Sequence, residues 1–533
     1  MVSDGITSHA KIPRWPSDVI ASSDIRSSGL KLPLVQNSLN CQVTITSNAL
    51  MTTCRIKMAP AIVYHQQTEV PTFSGTWTTR ETGMIFNDSK PAIRSKAAVL
   101  MIGGSRWAAE DMISKTLTIL QDRLRSFGID LTNAGSPLKV LMKGDKLKPE
   151  VKDDIKLKIS GLLQEKVTAV VIMLSSRSKP VYGYVKSLCD LILGIHSVCI
   201  DSYKLSVAEH DNGYCFQTAL KVNVKTGGRN QSLASLRLAS VDLKNTMIVG
   251  FDVMNPPATA KQGSKPIVIM VSSTSPDLSQ WAPAVRILEK IQKRDQQSME
   301  QALSDLLSNQ INHWKKKNKG ASPGNFIIYH KGLTEAVCAQ EISSLRSTIG
   351  KSTKHASWTL IAVNKDHHTK LQPLDSIDKA DADKTIPFGA MITRPRSLAK
   401  TWEFLIQGHE PKHTKDEVSI ASTLEASKAT LPTSYTVLYH DIFTTQKVKL
   451  ELEDLTHDMQ YLFGSSTAAT SDTLPIHYLG LLRKRMELFV QPWYRPKQGG
   501  QKGKGKEMKL SEGEMSSETV RIHENIRDEM FYI

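Results

Sequence analysis

The chain has 533 residues, 40% of them apolar and 23% charged, too many for one hydrophobic core and ordinary for two or three globular domains. No stretch of about eighteen apolar residues occurs, and Met1–Ala10 has no basic run leading into an apolar one, so neither a membrane span nor secretion is expected. The six cysteines, at 41, 54, 189, 199, 215 and 338, make no C-x-x-C pair; this argues against a zinc ribbon or a disulfide framework and fits a reduced compartment. A formal charge of +16 attracts polyanions, but charge alone does not separate RNA from DNA, an acidic membrane or a merely solvated basic surface.

Residues 1–95 are rich in Ser, Thr, Pro and Asn, with alternating runs such as Cys41-Gln-Val-Thr-Ile-Thr, and predict irregular structure with short strands. From Lys96 the pattern changes. Ala97–Ile102 is a continuous apolar run stopped by Gly103-Gly104, as a buried strand and turn would be. A helical stretch (Ala108–Phe127), a strand (Lys139–Met142), a second helix (Pro149–Glu165) and a strand (Ala169–Leu174) follow. A helix from Pro180 to Gly194 then precedes a strand at Val198–Ile200. Strands alternating with helices imply an α/β layer around a largely parallel sheet.

A second α/β series begins at Asn245. Its predicted strands are Met247–Val253, Ile267–Ser272, Phe326–Tyr329, Thr359–Val363 and Tyr435–Tyr439, with a helix over Gln296–Lys317. The Gly/Lys tract Gln498–Lys506 reads as part of a disordered loop, 496–512, and Ser517–Ile533 as an amphipathic helix. No internal repeat is visible.

Two clusters carry chemistry. Tyr182 and Lys186, at i and i+4, share one helix face, so an aromatic platform lies beside a cation. In Leu220-Lys-Val-Asn-Val-Lys-Thr-Gly-Gly228, Lys221 and Lys225 alternate with apolar residues as in a strand, which would point both ammonium groups one way. Convergent cations of this kind suit a terminal phosphate. Together, Pro180–Lys186, Leu193-Gly-Ile-His-Ser-Val-Cys199 and Leu220–Gly228 resemble the Mid domain of the Argonaute family. That resemblance implies a site for the 5′ phosphate and first base of a guide RNA, formed by Tyr182, Lys186, Cys199, Lys221 and Lys225. It places the base-reading loop at Ser175–Lys179. Val198 stands where the family usually has Gln.

Val249-Gly-Phe-Asp-Val-Met-Asn-Pro-Pro257, Phe326–Glu335 and Leu474-Pro-Ile-His-Tyr-Leu-Gly-Leu-Leu-Arg-Lys-Arg485 resemble the metal-binding strands and helix of the same family's PIWI domain. The ending Met-Phe-Tyr-Ile533 is also typical of it, and the Gly-Ile-His-Ser-Val-Cys phrase is most like fungal members. Two-metal phosphodiester cleavage needs several anionic or imidazole ligands around cations about 3.5–4 Å apart. Of the family's four ligand positions only Asp252 keeps an acid; the others fall on Ser298, Lys331 and Gly480. A lysine about 4 Å from a metal opposes each unit of its charge by about 4 kcal/mol at an effective dielectric of about 20. Lys331 is therefore expected to pair with Asp252 in place of a metal. A competing expectation lets Glu300 or His477 fill the vacant roles. The resemblance also places Arg485 on the guide phosphate, and Lys365, His367, His368 and Lys370 on a nucleic-acid backbone.

Ser27–Leu32, Arg55–Tyr64 and Gly75-Thr-Trp77 resemble the linker that precedes Mid, and no N or PAZ domain is read in the chain. The expected organisation is an α/β protein with an irregular linker (1–95), a Rossmann-like Mid domain (96–230) and an RNase H-like PIWI domain (231–533). The implied function is guide small-RNA binding in gene silencing without slicer activity, so the chain is not expected to be an enzyme. No metal or other cofactor is expected; Mg²⁺ enters only if the chain is instead an RNA endonuclease with rearranged ligands. A third alternative is a PIWI-fold interaction module that has lost RNA. The implied partners are a small guide RNA, a complementary RNA target and silencing-effector proteins, with no membrane. The cytoplasm is the expected location, with the nucleus as a second one.

Overall fold

The structure, a computed structural model, describes residues 7–11, 51–64, 69–72, 75–77, 93–104, 110–142, 147–175, 178–202, 213–234, 236, 238–288, 296–332, 338–365, 367, 369, 372–373, 386–395, 401–408, 431–443, 445–494 and 515–533. In chain order the first strands are β1 (Thr7–Lys11), β2 (Met51–Ile56), β3 (Ile62–Val63) and β4 (Glu69–Val70). An alternating series follows: β5 (Ser95–Gly103), α1 (Glu110–Arg125), β6 (Ile129–Leu131), β7 (Leu138–Leu141), α2 (Pro149–Gln164), β8 (Ala169–Leu174), α3 (Lys179–Ser187), a π-helical turn (Leu188–Leu193), β9 (His196–Asp201) and α4 (Gly213–Lys225). Next come β10 (Ser232–Leu233), β11 (Thr246–Met254), β12 (Ile267–Ser273), β13 (Trp281–Ile287), α5 (Gln296–Lys317), β14 (Asn325–Lys331), α6 (Cys338–Ser352) and β15 (Ser357–Asn364). The remainder holds β16 (Gln372–Pro373), β17 (Ala390–Pro395), β18 (Trp402–Ile406), β19 (Thr433–His440), α7 (Gln446–Asp458) and α8 (Leu474–Tyr494).

The chain forms two compact units, residues 1–59 with 363–436, and 60–362 with 437–533; the division falls inside β15 and β19. The smaller unit is built on strands in the order β18-β17-β2-β1-β16, each antiparallel to its neighbour. Cys54, Ile386, Ala390, Ile392 and Leu405 make its core, and the Phe404 and Tyr435 rings stack at 5.1 Å.

The larger unit has two cores. The first surrounds a sheet of order β6-β5-β8-β9, with β7 also beside β5, all parallel. Every residue of β8, Ala-Val-Val-Ile-Met-Leu, is buried, because helices cover both faces of a parallel sheet and leave no side for polar residues. Ile155, Ile159 and Leu162 of α2 and Val181 and Val185 of α3 pack onto it. The second core surrounds β13-β12-β11-β14-β15, where β11 runs antiparallel to β12 and parallel to β14. Its one face is filled by Leu303, Leu307, Ile311 and Trp314 of α5 and Leu345 and Ile349 of α6. On the other face α8 comes so close that a Cβ on Gly250 would meet Pro475 at 3.0 Å. Elsewhere in this unit, Trp77 donates its indole N–H to the Tyr64 hydroxyl at 2.6 Å.

Two local expectations are corrected. Lys221 and Lys225 do not lie in a strand: they are one turn apart on α4. The Lys-Val-Asn-Val-Lys alternation is overridden because Asn223 is an inward residue, buried by hydrogen bonds to Arg94, Arg229 O and Asn230. Nor is Ser517–Ile533 an amphipathic helix. It has a 3₁₀ turn at Ser517–Val520 and then successive turns. Met530, Phe531 and Tyr532 are all buried and leave no polar face, while side-chain cations occupy the Phe531 carbonyl. The loop 496–512, the stretch Ser27–Leu32, His368, Lys370 and part of Ser175–Lys179 lie outside the described residues.

Candidate nucleic-acid interface

The first site is made where α3, β9, α4, α8 and the chain's end meet. α3 places Tyr182 and Lys186 on one face as expected, with the ammonium 5.7 Å from the ring centre. Lys186 is buried and donates to Ser197 O at 2.7 Å and Ser197 Oγ at 2.9 Å. Tyr182 is 37% exposed. Lys225, at the end of α4, is also buried and donates to the Phe531 carbonyl. Arg485, on α8, donates through Nη1 to that same carbonyl at 3.1 Å and to Asp190 Oδ2.

The charges act on one another. Burial, with the charges of Lys186 and Arg485, holds the Lys225 ammonium well below the usual lysine range. Burial works against the Arg485 charge too, but Asp190, with Tyr182 and Cys199, outweighs it and raises the pKa. Tyr182 and Cys199 also reach Arg485 electrostatically, so Tyr182, Lys186, Cys199, Lys225 and Arg485 come together. Lys221 lies one turn earlier on α4 and is exposed. Val198 is a buried core residue of β9.

Sequence reasoning missed Asp190, His196 and Glu529. Asp190 sits in the π-helical turn, which Gly194 closes at φ 64°; a Cβ there would strike the His523 ring at 2.1 Å. His523 in turn donates its backbone N–H to Asp190 O at 3.0 Å. His196 is buried on β9 and meets Glu529 at 2.5 Å; burial lowers its pKa against the pull of that carboxylate.

The second site lies at the C-terminal end of β11. Asp252 is buried, and its partner is Arg483 rather than Lys331: Nη1 of Arg483 donates to Asp252 Oδ2 at 3.0 Å. Lys331 is exposed at the end of β14. The long guanidinium reaches down from α8, while a lysine at a strand end gains more from hydration. Gly480 faces open space, and Ser298 lies in the first turn of α5. Glu300 acts instead on Glu341 of α6, and His477 packs edge-on against Phe463 at 4.4 Å. Among the described residues, no three His, Cys, Asp or Glu side chains are grouped to hold a metal. An acid already bonded to arginine, with a lysine at the neighbouring ligand position, does not fit a two-metal centre.

In the smaller unit, the His367 ring accepts from Thr369 N–H at Nδ1 (3.2 Å) and donates from Nε2 to Pro432 O (2.7 Å). Both nitrogens are engaged locally. Lys365 is exposed.

The Piwi domain family model matches residues 169–491, which is more than half of the chain. The chain belongs to the Argonaute/Piwi family. Protein argonaute 18 of Oryza sativa subsp. japonica is 24% identical over 85% of this chain and 40% of its own length. The chain thus spans well under half of that Argonaute. The C-terminal lobe of a budding yeast Argonaute superposes with a TM-score of 0.69 at 17% identity, covering 91% of this chain and 95% of the lobe. Kluyveromyces polysporus Argonaute, solved with a guide RNA, gives 0.67 at 17% identity over 98% and 61%. These likenesses show the RNase H-like PIWI fold.

Proposed function

We propose that this Argonaute-family chain binds a small guide RNA by its phosphorylated 5′ end and serves RNA silencing without cutting the target. The observation that carries this reading is the convergence of Lys186, Lys225 and Arg485 from three helices beside the Tyr182 ring. Three buried basic side chains among the described residues face one buried carboxylate, Asp190, and an anion joining them would offset the repulsion that holds Lys225 low. Among the described residues Lys186 keeps one N–H donor and Lys225 two, enough to bond a phosphate without breaking the internal contacts. The exposed tyrosine offers a stacking surface to the first base. The Kluyveromyces neighbour, whose structure contains a guide RNA, supports guide-RNA binding as the class of function. The Arg483–Asp252 pair supports the non-slicing part.

The test compares 5′-phosphorylated with 5′-hydroxyl small RNA of one sequence. The phosphorylated strand is expected to bind at least about tenfold more tightly, and Lys186→Ala or Lys225→Ala to abolish the difference. Equal binding of both strands that only falls with salt would reduce the interaction to nonspecific electrostatics. Metal-dependent scission of a guided target would refute the non-slicing part.

A further inference from the structure

We propose that the PIWI cleft of this chain holds a nucleic-acid phosphate with side-chain cations alone, without a divalent metal. The proposal rests on the RNA-binding reading only for the class of polymer. Arg483 bonds Asp252 through Nη1 at 3.0 Å and Glu487 through Nε at 3.1 Å, so its guanidinium is oriented from two sides. Its side chain is still 34% exposed, and Nη2 has no partner among the described residues. Arginine presents donors in a fixed fork that matches phosphate oxygens, so a half-held, half-exposed guanidinium is a prepared phosphate ligand.

Strand register brings a second cation to the place. β11 and β14 run parallel with Phe251 beside His330, and both of these face the α5–α6 core. The next residues along, Asp252 and Lys331, therefore fall on the opposite face, toward α8. On α8, Gly480, Arg483, Lys484 and Glu487 recur at i, i+3, i+4 and i+7 along one stripe, with Lys484 exposed. The missing side chain at Gly480 leaves open space there. Asp252 and Glu487 against Lys331, Arg483 and Lys484 leave a surplus of one positive charge. A cleft of that sign repels Mg²⁺ and attracts a phosphodiester, the reverse of what a metal nuclease needs.

The experiment titrates the full chain against a fluorescein-labelled RNA duplex of about 20 base pairs with a 5′ phosphate, in magnesium and in EDTA, across a salt series. Equal affinity in both media is expected. Lys331→Ala and Arg483→Ala should each weaken binding several-fold and flatten the log–log salt slope by about 0.7–0.9, the loss of one phosphate contact. Arg483→Lys, which keeps the charge beside Asp252, should retain most of the slope and guards against a folding defect. Affinity that collapses in EDTA, or unchanged slopes in Lys331→Ala and Arg483→Ala, would overturn the proposal. Changed slopes in a protein with no 5′-phosphate preference would defeat the guide-end reading and leave this one standing.

Discussion

His196 on β9 and Glu529, four residues before the chain's end, meet at 2.5 Å across 333 residues of sequence. Lys225 and Arg485 fasten the Phe531 carbonyl two residues later. The last turns of the protein are thus a structural wall of the cation cluster. Glu529→Ala should cost about 1–2 kcal/mol, read as a lower urea midpoint at unchanged slope. It should also weaken binding of 5′-phosphorylated RNA more than of 5′-hydroxyl RNA. Equal weakening of the two would mean that the wall does not shape the phosphate end.

Among the described residues, Asp190 is the buried acid that faces Arg485 and Lys225. Asp190→Ala strands Arg485 and should destabilise the chain by about 3–5 kcal/mol. A bound phosphate can replace the lost carboxylate. The rise in melting temperature on adding 5′-phosphorylated RNA should therefore be larger in this variant than in the parent chain. A smaller rise would show that Asp190 organises the site rather than occupying its charge.

Lys225 is held below its usual range by burial and by two neighbouring cations. An arriving phosphate favours the charged amine, so its pKa must rise on binding and a proton is taken up between the free and bound values. Affinity for 5′-phosphorylated RNA should accordingly fall as pH climbs through that interval. Calorimetry in buffers of different ionisation enthalpy reads the uptake directly, and Lys225→Met should remove it.

His330 and Glu341, 3.7 Å apart beneath α6, oppose each other in acid stability. Burial, helped by Glu300, raises Glu341 to about 7; this stabilisation is full below its unfolded value near 4.5 and is lost as pH rises toward 7. Burial lowers His330 to about 3; its contribution is full above about 6.5 and is lost as pH falls toward 3. Between pH 4.5 and 6.5 the two slopes largely cancel. Glu341→Gln should make stability climb with pH across that window and His330→Gln should make it decline. Parallel curves for the two variants would contradict the pairing.

Much of the scaffold was legible. Buried parallel strands write themselves as apolar runs, so the predicted segments at Ala97–Ile102, Ala169–Leu174 and Met247–Val253 coincide with β5, β8 and β11, and Gln296–Lys317 with α5. Local periodicity failed where a polar side chain turned inward, as Asn223 did in α4. Partnership was the harder matter. Asp190 lies in an apolar stretch, and its cation is 295 residues away. Asp252 has several cations at comparable spacing from the family motifs, and only the fold selects Arg483 over Lys331.

The bond between Lys225 and the Phe531 carbonyl spans 306 residues, and this orders events during biosynthesis. A ribosome adding about 5–20 residues per second needs roughly 15–60 s to travel that distance. Throughout that interval the first core can assemble while its buried amine waits for a carbonyl not yet made. The pocket closes only once Phe531 has emerged, so a nascent chain stalled short of it would present an unfinished cradle.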